Sequence, residues 1–309
     1  MEVLGIRWGG LGDLLVLLPS LQFIRRLYPQ AKLTLVANPE FGGLVKAAGL
    51  VDSLIPSEDR RLVSLFQVNS ETSDEWLRRF ERIFIWLNKP KVEWVEIIEK
   101  SLGKKLSTLV ADDSLRFPLS RYFFMMTVEA IASDTKKEIS YEKMAFLPIR
   151  QEWAREAEKL FPWNRTSPLA VIHPGSGGRQ KRWELGNYLE IANRLSREGF
   201  SGAFITGPAE KDYLPVLVSF PWPPGWKWLK EPPLQAVAWL LSKSNLYLGN
   251  DSGITQLAGF CGCPGVALFL DENARLWAPS GKIKVIRAGL IREIKMETVW
   301  EGIKMIADS

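Results

Sequence analysis

The chain has 309 residues, 46% of them hydrophobic and 24% charged, which is enough to bury large cores and corresponds by size to about two domains. Its net charge of +5 is spread along its length: 21 basic and 19 acidic residues lie in positions 1 to 150, and 19 and 16 in the remainder. Neither half is therefore a polybasic arm for nucleic acid, and the mild excess suits anionic small molecules or an anionic membrane surface.

In chain order, Val3 to Arg7 reads as a short strand, Gly9 to Asp13 as a Gly-rich turn, Leu14 to Tyr28 as a helix and Lys32 to Ala37 as a second strand. The most apolar early run, Leu14 to Leu18, lies between Asp13 and Pro19 and is far short of the roughly 20 residues a membrane span needs. A cytoplasmic or peripheral protein is expected. Residues of about 55 to 110 carry no recognisable motif. Gln151 to Leu160 reads as a linking helix, and the stretch Phe161 to Pro168, with two prolines among polar residues, marks a boundary. The order of elements then repeats. Ala170 to Ile172 is a strand, Pro174 to Gln180 a turn, Trp183 to Glu198 a helix with Leu185, Leu189, Ala192 and Leu195 on one face, and Gly202 to Thr206 a strand. Glu297 to Ile306 closes the chain as an amphipathic helix.

Repeated strand, helix and parallel strand units predict two doubly wound α/β domains. The expected divisions are residues 1–150, 165–296 and a terminal helix at 297–309.

Two turns carry an anion-binding pattern. In Leu169 to Gly178 an apolar strand enters a Gly-rich turn, followed by Lys181-Arg182-Trp183; in Leu246 to Ala258 another strand enters Gly249-Asn250-Asp251-Ser252-Gly253 ahead of an apolar helix. The first amides of a helix lack intrahelical acceptors and face the positive end of its dipole, so both turns suit phosphate. Two in one half suggest one diphosphate ligand. The plain alternatives are that Asp251 caps its helix and that Lys181 and Arg182 form a solvated pair. Asp13, at the end of the Gly9 to Gly12 turn, reads equally as the cap of the helix that follows.

The blocks HPGSGGRQKRW (His173 to Trp183), TGPAEKD (Thr206 to Asp212) and GNDSGITQLAG (Gly249 to Gly259) resemble the donor-domain motifs of glycosyltransferase family 9, the ADP-heptose:lipopolysaccharide heptosyltransferases. Ile6 to Asn38 is similar to the opening of the same family. This resemblance implies a GT-B architecture, two Rossmann-like domains facing a cleft, with the terminal helix returning to the N-terminal domain. The implied reaction is inverting transfer of heptose from ADP-heptose, without metal or cofactor, to an anionic inner-core glycolipid, with peripheral contact at the inner membrane surface. Asp13 becomes the general base, Gly10 and Gly12 leave room for the acceptor, and Lys181 stabilises the departing diphosphate. Gly175, Ser176, Gly177, Gly178, Asp251, Ser252 and Gly253 become donor contacts, with Glu210 a candidate for the ribose. The chain departs from the family at Gln256, where histidine is usual. This leaves open another nucleotide sugar or acceptor, or a sugar-nucleotide-binding protein with impaired catalysis. Arg116 and Arg121, beside the apolar run Phe123 to Met126, read as surface residues of a core helix or as partners of acidic acceptor groups.

Other classes fit poorly. Neither turn completes G-x-G-x-x-G, Lys181 lies outside a P-loop pattern, and neither Ser176 nor Ser252 lies in G-x-S-x-G. One histidine and two cysteines, Cys261 and Cys263, lack the ligand spacing of a zinc site, and the cysteines read as small buried thiols.

Overall fold

The computed structural model describes residues 1–65, 75–88, 106–111, 117–132 and 139–307. The chain divides into two compact units, Met1–Ala145 and Phe146–Ser309, each built on its own sheet. In the first, β1 (Glu2–Ile6), β2 (Lys32–Ala37), β3 (Ser53–Pro56), β4 (Arg82–Leu87) and β5 (Leu106–Val110) lie in the order β3-β2-β1-β4-β5, with every pair parallel. The chain winds outward from β1 to β3 and then resumes on the other side of β1 as β4. A crevice opens at such a reversal, outside the C-terminal ends of the two central strands.

The helix after β1 differs from the expected one. It starts at Leu11 and breaks into Leu11–Leu15 and Leu18–Leu27. Pro19 has no N–H for the ladder and its ring collides with the carbonyl four residues earlier, so the first segment ends before it. The turn is thereby shortened to Arg7 through Gly10, and Asp13 sits one turn inside the helix. Gly9 there adopts φ +124°, and a Cβ would meet Asp13 Oδ2 at 2.5 Å, so both backbone and space require glycine.

In the second unit β6 (Leu169–His173), β7 (Ser201–Thr206), β8 (Trp226–Lys230), β9 (Leu246–Asn250), β10 (Gly265–Leu270) and β11 (Ile283–Ala288) form a parallel sheet of order β11-β10-β9-β6-β7-β8. The reversal now lies between β6 and β9. Alternate residues of β10 feed opposite cores: Val266 and Leu268 pack with Trp183, Tyr188 and Leu195, whereas Ala267 and Phe269 pack with Ala274. Helices thus cover both faces, which makes the unit doubly wound as the sequence predicts.

Two further helices read from the sequence are present. The expected linking helix is Trp153–Leu160, which packs on the Leu234–Lys243 helix of the second unit. The terminal helix, Met296–Ala307, buries Val299 and Ile303 in the core of the second unit, packed on β9 and β10. Its apolar face was assigned to the N-terminal domain by resemblance; the spacing of that face gave its existence but not its target. Among the described residues no helix is long and apolar enough to cross a membrane.

Candidate active site

Both anion-type turns of the second unit leave the switch point. β6 runs into Pro174–Gly178, and β9 runs into Asp251 and Ser252. Asn250, wholly buried at the end of β9, fastens the two together: its Nδ2 donates to the Pro174 carbonyl at 2.7 Å, while its Oδ1 accepts from Tyr188 OH at 2.8 Å and from Trp183 N at 3.3 Å. Ser176 adds a second tie, its Oγ donating to the Asp251 carbonyl at 2.7 Å. The hydroxyl proposed for a ligand is therefore spent on holding the turn.

Lys181 reaches across from the first turn to Asp251, with Nζ to Oδ2 at 2.8 Å. The lysine side chain is 34% exposed and the carboxylate 9%. The cap of the Gly253–Phe260 helix is Ser252, whose Oγ accepts from Thr255 N at 3.2 Å, so Asp251 is free of capping. The first amides of that helix, at Gly253 and Ile254, have no acceptor in their own helix and point out of its positive end. Gly177 is exposed at the tip of the other turn, and Gly178 leads into the short 3-10 turn Arg179–Lys181. A fixed cation, a carboxylate and two sets of backbone donors thus meet outside the C-terminal ends of β6 and β9.

Glu210 is only 2% exposed. It accepts from Gly207 N at 2.7 Å, and Gly175 lies so close that a Cβ there would collide with its carboxylate. Arg182 lies 3.8 Å from Glu210 and bonds the Ser176 carbonyl at 3.1 Å and the Ala209 carbonyl at 3.0 Å. Gly175 and Glu210 therefore support the turn from behind.

His173, at the end of β6, is 6% exposed, with Nδ1 3.0 Å from the Ile205 carbonyl. A carbonyl only accepts, so Nδ1 carries the hydrogen. Burial holds the imidazole below its usual pKa, opposed by Glu210 and reinforced by Arg182. The folded protein thus keeps His173 neutral where the unfolded chain takes up a proton, near pH 6.5. Its stability contribution is complete above about pH 6.5 and is lost on acidification, by at most about 1.4 kcal/mol per pH unit. Melting temperatures of wild type and His173→Gln between pH 8 and 5 check this: the two curves should run parallel above pH 6.5 and converge below it. Parallel curves throughout would assign acid sensitivity to other groups.

Gln256 is buried at 2% exposure; its Nε2 donates to the Trp277 carbonyl at 2.7 Å and its Oε1 has no partner. Asn273, one helical turn before Trp277, has a buried Nδ2 that is likewise unpartnered. The Gly253–Phe260 and Asp271–Trp277 helices thus hold one buried acceptor and one buried donor without protein partners.

The first unit holds one polar cluster at its own switch point. Arg7, at the end of β1, is 3% exposed and donates to Asp13 Oδ1 at 2.9 Å, to the Asp13 carbonyl at 3.0 Å, to Asn88 Oδ1 at 2.7 Å and to the Trp86 carbonyl at 3.1 Å. Phe123 lies 5.2 Å beneath its guanidinium. Burial pushes the Arg7 pKa down, while Asp13 raises it. Asn88, just past β4, donates to Asp13 Oδ1 at 2.7 Å, and Gly10 N donates to Oδ2 at 3.0 Å. The carboxylate is aimed by three donors, and its side chain keeps 25% exposure. Its surroundings are accordingly polar. Gly10 and Gly12 flank it. Arg121 lies apart from this cluster, exposed, with Phe117 and Tyr141 beneath its guanidinium. Arg116 falls outside the described residues.

The family model described as glycosyltransferase family 9 (heptosyltransferase) matches residues 120–299, more than half of the chain. The chain belongs to glycosyltransferase family 9. It is 25% identical over 300 residues to the lipopolysaccharide core heptosyltransferase OpsX of Haemophilus influenzae, covering 89% of this chain and 80% of that one. Among solved structures it is similar to a family 9 glycosyl transferase from Veillonella parvula, with TM-score 0.77, 18% identity and coverage of 100% and 98%. It is also similar to the E. coli ADP-heptose lps heptosyltransferase II, with TM-score 0.75, 19% identity and coverage of 99% and 98%. The fold is of the GT-B class, and the protein is a glycosyltransferase.

Sequence reasoning missed Arg7 and Asn88 in the first unit and the tying role of Asn250 in the second. Arg7 had a visible signal, since a charge ending an apolar strand must find partners. Cys261 and Cys263 remain thiols pushed up in pKa by burial.

Proposed function

We propose that this glycosyltransferase moves heptose from ADP-heptose to an acidic inner-core lipopolysaccharide acceptor with inversion, without metal, on the cytoplasmic face of the inner membrane. The observation that carries the reading is the Lys181–Asp251 pair at the β6/β9 switch point, bounded by the free amides of the Gly253 helix. This arrangement of one cation and fixed dipoles beside a carboxylate able to accept from sugar hydroxyls has the chemistry a sugar diphosphate requires. The names of OpsX and of the E. coli enzyme support heptose and a lipopolysaccharide acceptor.

In the reaction the acceptor oxygen bonds to the anomeric carbon as the bond from that carbon to the diphosphate oxygen breaks. The electron pair leaves with ADP, where Lys181 and the turn amides meet charge greater in the transition state than in the ground state. Asp13 takes the acceptor proton; Arg7 and Asn88 hold its Oδ1 and leave the remaining lone pairs for the hydroxyl. Attack opposite the leaving group inverts the centre.

A thermal-shift panel of ADP, UDP, GDP, CDP and ADP-heptose tests the donor. ADP and ADP-heptose should stabilise selectively, by about 2.7 kcal/mol at 100 times the dissociation constant. Equal shifts with UDP, or none with ADP, would overturn the assignment.

A further inference from the structure

The Phe161–Arg165 segment enters the start of β6, and the Leu234–Lys243 helix leads into the start of β9. They line a cavity of about 620 Å³. The donor turns leave the other ends of these parallel strands, about one strand length of 15 Å away. The cavity is thus separate from the site described above and lies wholly within the second unit.

Its lining combines two kinds of surface. Phe161, Trp239 and Leu240 form an apolar floor, each at most 6% exposed. Trp163 stands half-buried on the wall, its indole fixed by donation from Nε1 to the Ser167 carbonyl at 3.0 Å. Around the rim are the Asn164 amide, the Glu158 carboxylate, the Arg165 guanidinium and the Lys243 ammonium. Glu158 and Arg165 pair at 2.5 Å and cancel in charge, which leaves Lys243, 4.6 Å from the centre of the Trp239 ring, as the excess cation.

We propose that this cavity is a second, non-catalytic binding site for a saccharide bearing an acidic group. A sugar ring has a C–H face that packs on a rigid indole and an edge of hydroxyls that both donate and accept. Trp163 supplies the first; Asn164, Glu158 and Arg165 supply partners of both kinds. The unbalanced Lys243 selects for a carboxylate or phosphate on the sugar. The volume falls within the roughly 300–1,000 Å³ of small-molecule sites. Such a site would retain an acidic glycan on the enzyme while the opposite end of the sheet works on the nucleotide sugar.

Saturation-transfer NMR titrations of the full chain with galacturonate, galactose and inorganic phosphate, each with saturating ADP, test this without reference to turnover. Galacturonate should receive saturation and bind more tightly than galactose. Trp163→Ala should weaken it about three- to tenfold, Trp163→Phe less, and Lys243→Gln should bring it to the level of galactose. All three variants should keep the wild-type thermal shift with ADP, which shows that they fold and separates this proposal from the donor assignment. Absence of transfer, equal binding of both sugars, insensitivity to both Trp163 variants, or phosphate abolishing the galacturonate signal without discrimination between the sugars would each overturn it.

Discussion

Asp13→Asn should lower transfer by about 10²-fold or more while ADP-heptose binding is kept. The carboxylate accepts from Arg7 and Asn88 at Oδ1 and from Gly10 N at Oδ2. An amide can replace only one of these oxygens as acceptor, so its NH2 faces a donor, which costs about 1–3 kcal/mol. Arg7 loses its counter-charge but keeps the Asn88 side chain and the Trp86 and Asp13 carbonyls, so the chain should remain folded with a lower melting temperature. Catalysis suffers more, because an amide cannot take a proton. Calorimetry of donor binding beside a transfer assay on the same preparation separates the effects. Full transfer activity would reduce Asp13 to an anchor for Arg7.

Lys181→Ala should cost about 10² to 10³ in turnover, the range found when one preorganised donor to a developing anion is removed. It also strands Asp251, at 8% exposure, without its cation. Because Lys181 is one-third exposed, the expected loss of stability is about 1–3 kcal/mol, below the about 3–5 kcal/mol of a fully buried pair. The double variant Lys181→Ala, Asp251→Asn removes that penalty. It should recover most of the melting temperature and none of the turnover. Recovery of turnover in the double variant would show that the lysine serves only to neutralise Asp251.

Five strands, β1, β2, β6, β7 and β9, and the turns after β6 and β9 were legible because parallel strands buried on both faces leave short apolar runs between glycines; the other six strands were not read. Helix ends were less so. Gly9 to Asp13 reads as one turn since glycine disfavours helix, yet Leu11 to Asp13 lie within the first helical segment, where Asp13 accepts from the N-cap amide of Gly10. Asp251 and Ser252 are equally good caps by residue type; only the backbone decides for Ser252. The partners of Asp13 were hidden for another reason. Asn88 is 75 positions away, and only the placement of β4 beside β1 brings it to the site. In Asn250, by contrast, the polar residue was in plain view within the Gly249 to Gly253 block, but its role as the tie between two turns depends on the pairing of β6 with β9.

Both units place their chemistry at the ends of two central strands, β1 and β4 in one and β6 and β9 in the other. Among the described residues, the outer strands contribute supports to it: Glu210 after β7 and the Trp277 carbonyl after β10. For a lineage of such enzymes this separates what must be inherited from what is free to drift: insertions beside β3, β5, β8 or β11 can reshape what the enzyme accepts without disturbing the four strand ends to which we assign the transfer. Recombination between relatives is then expected to be tolerated at the sheet margins and lethal at the centre.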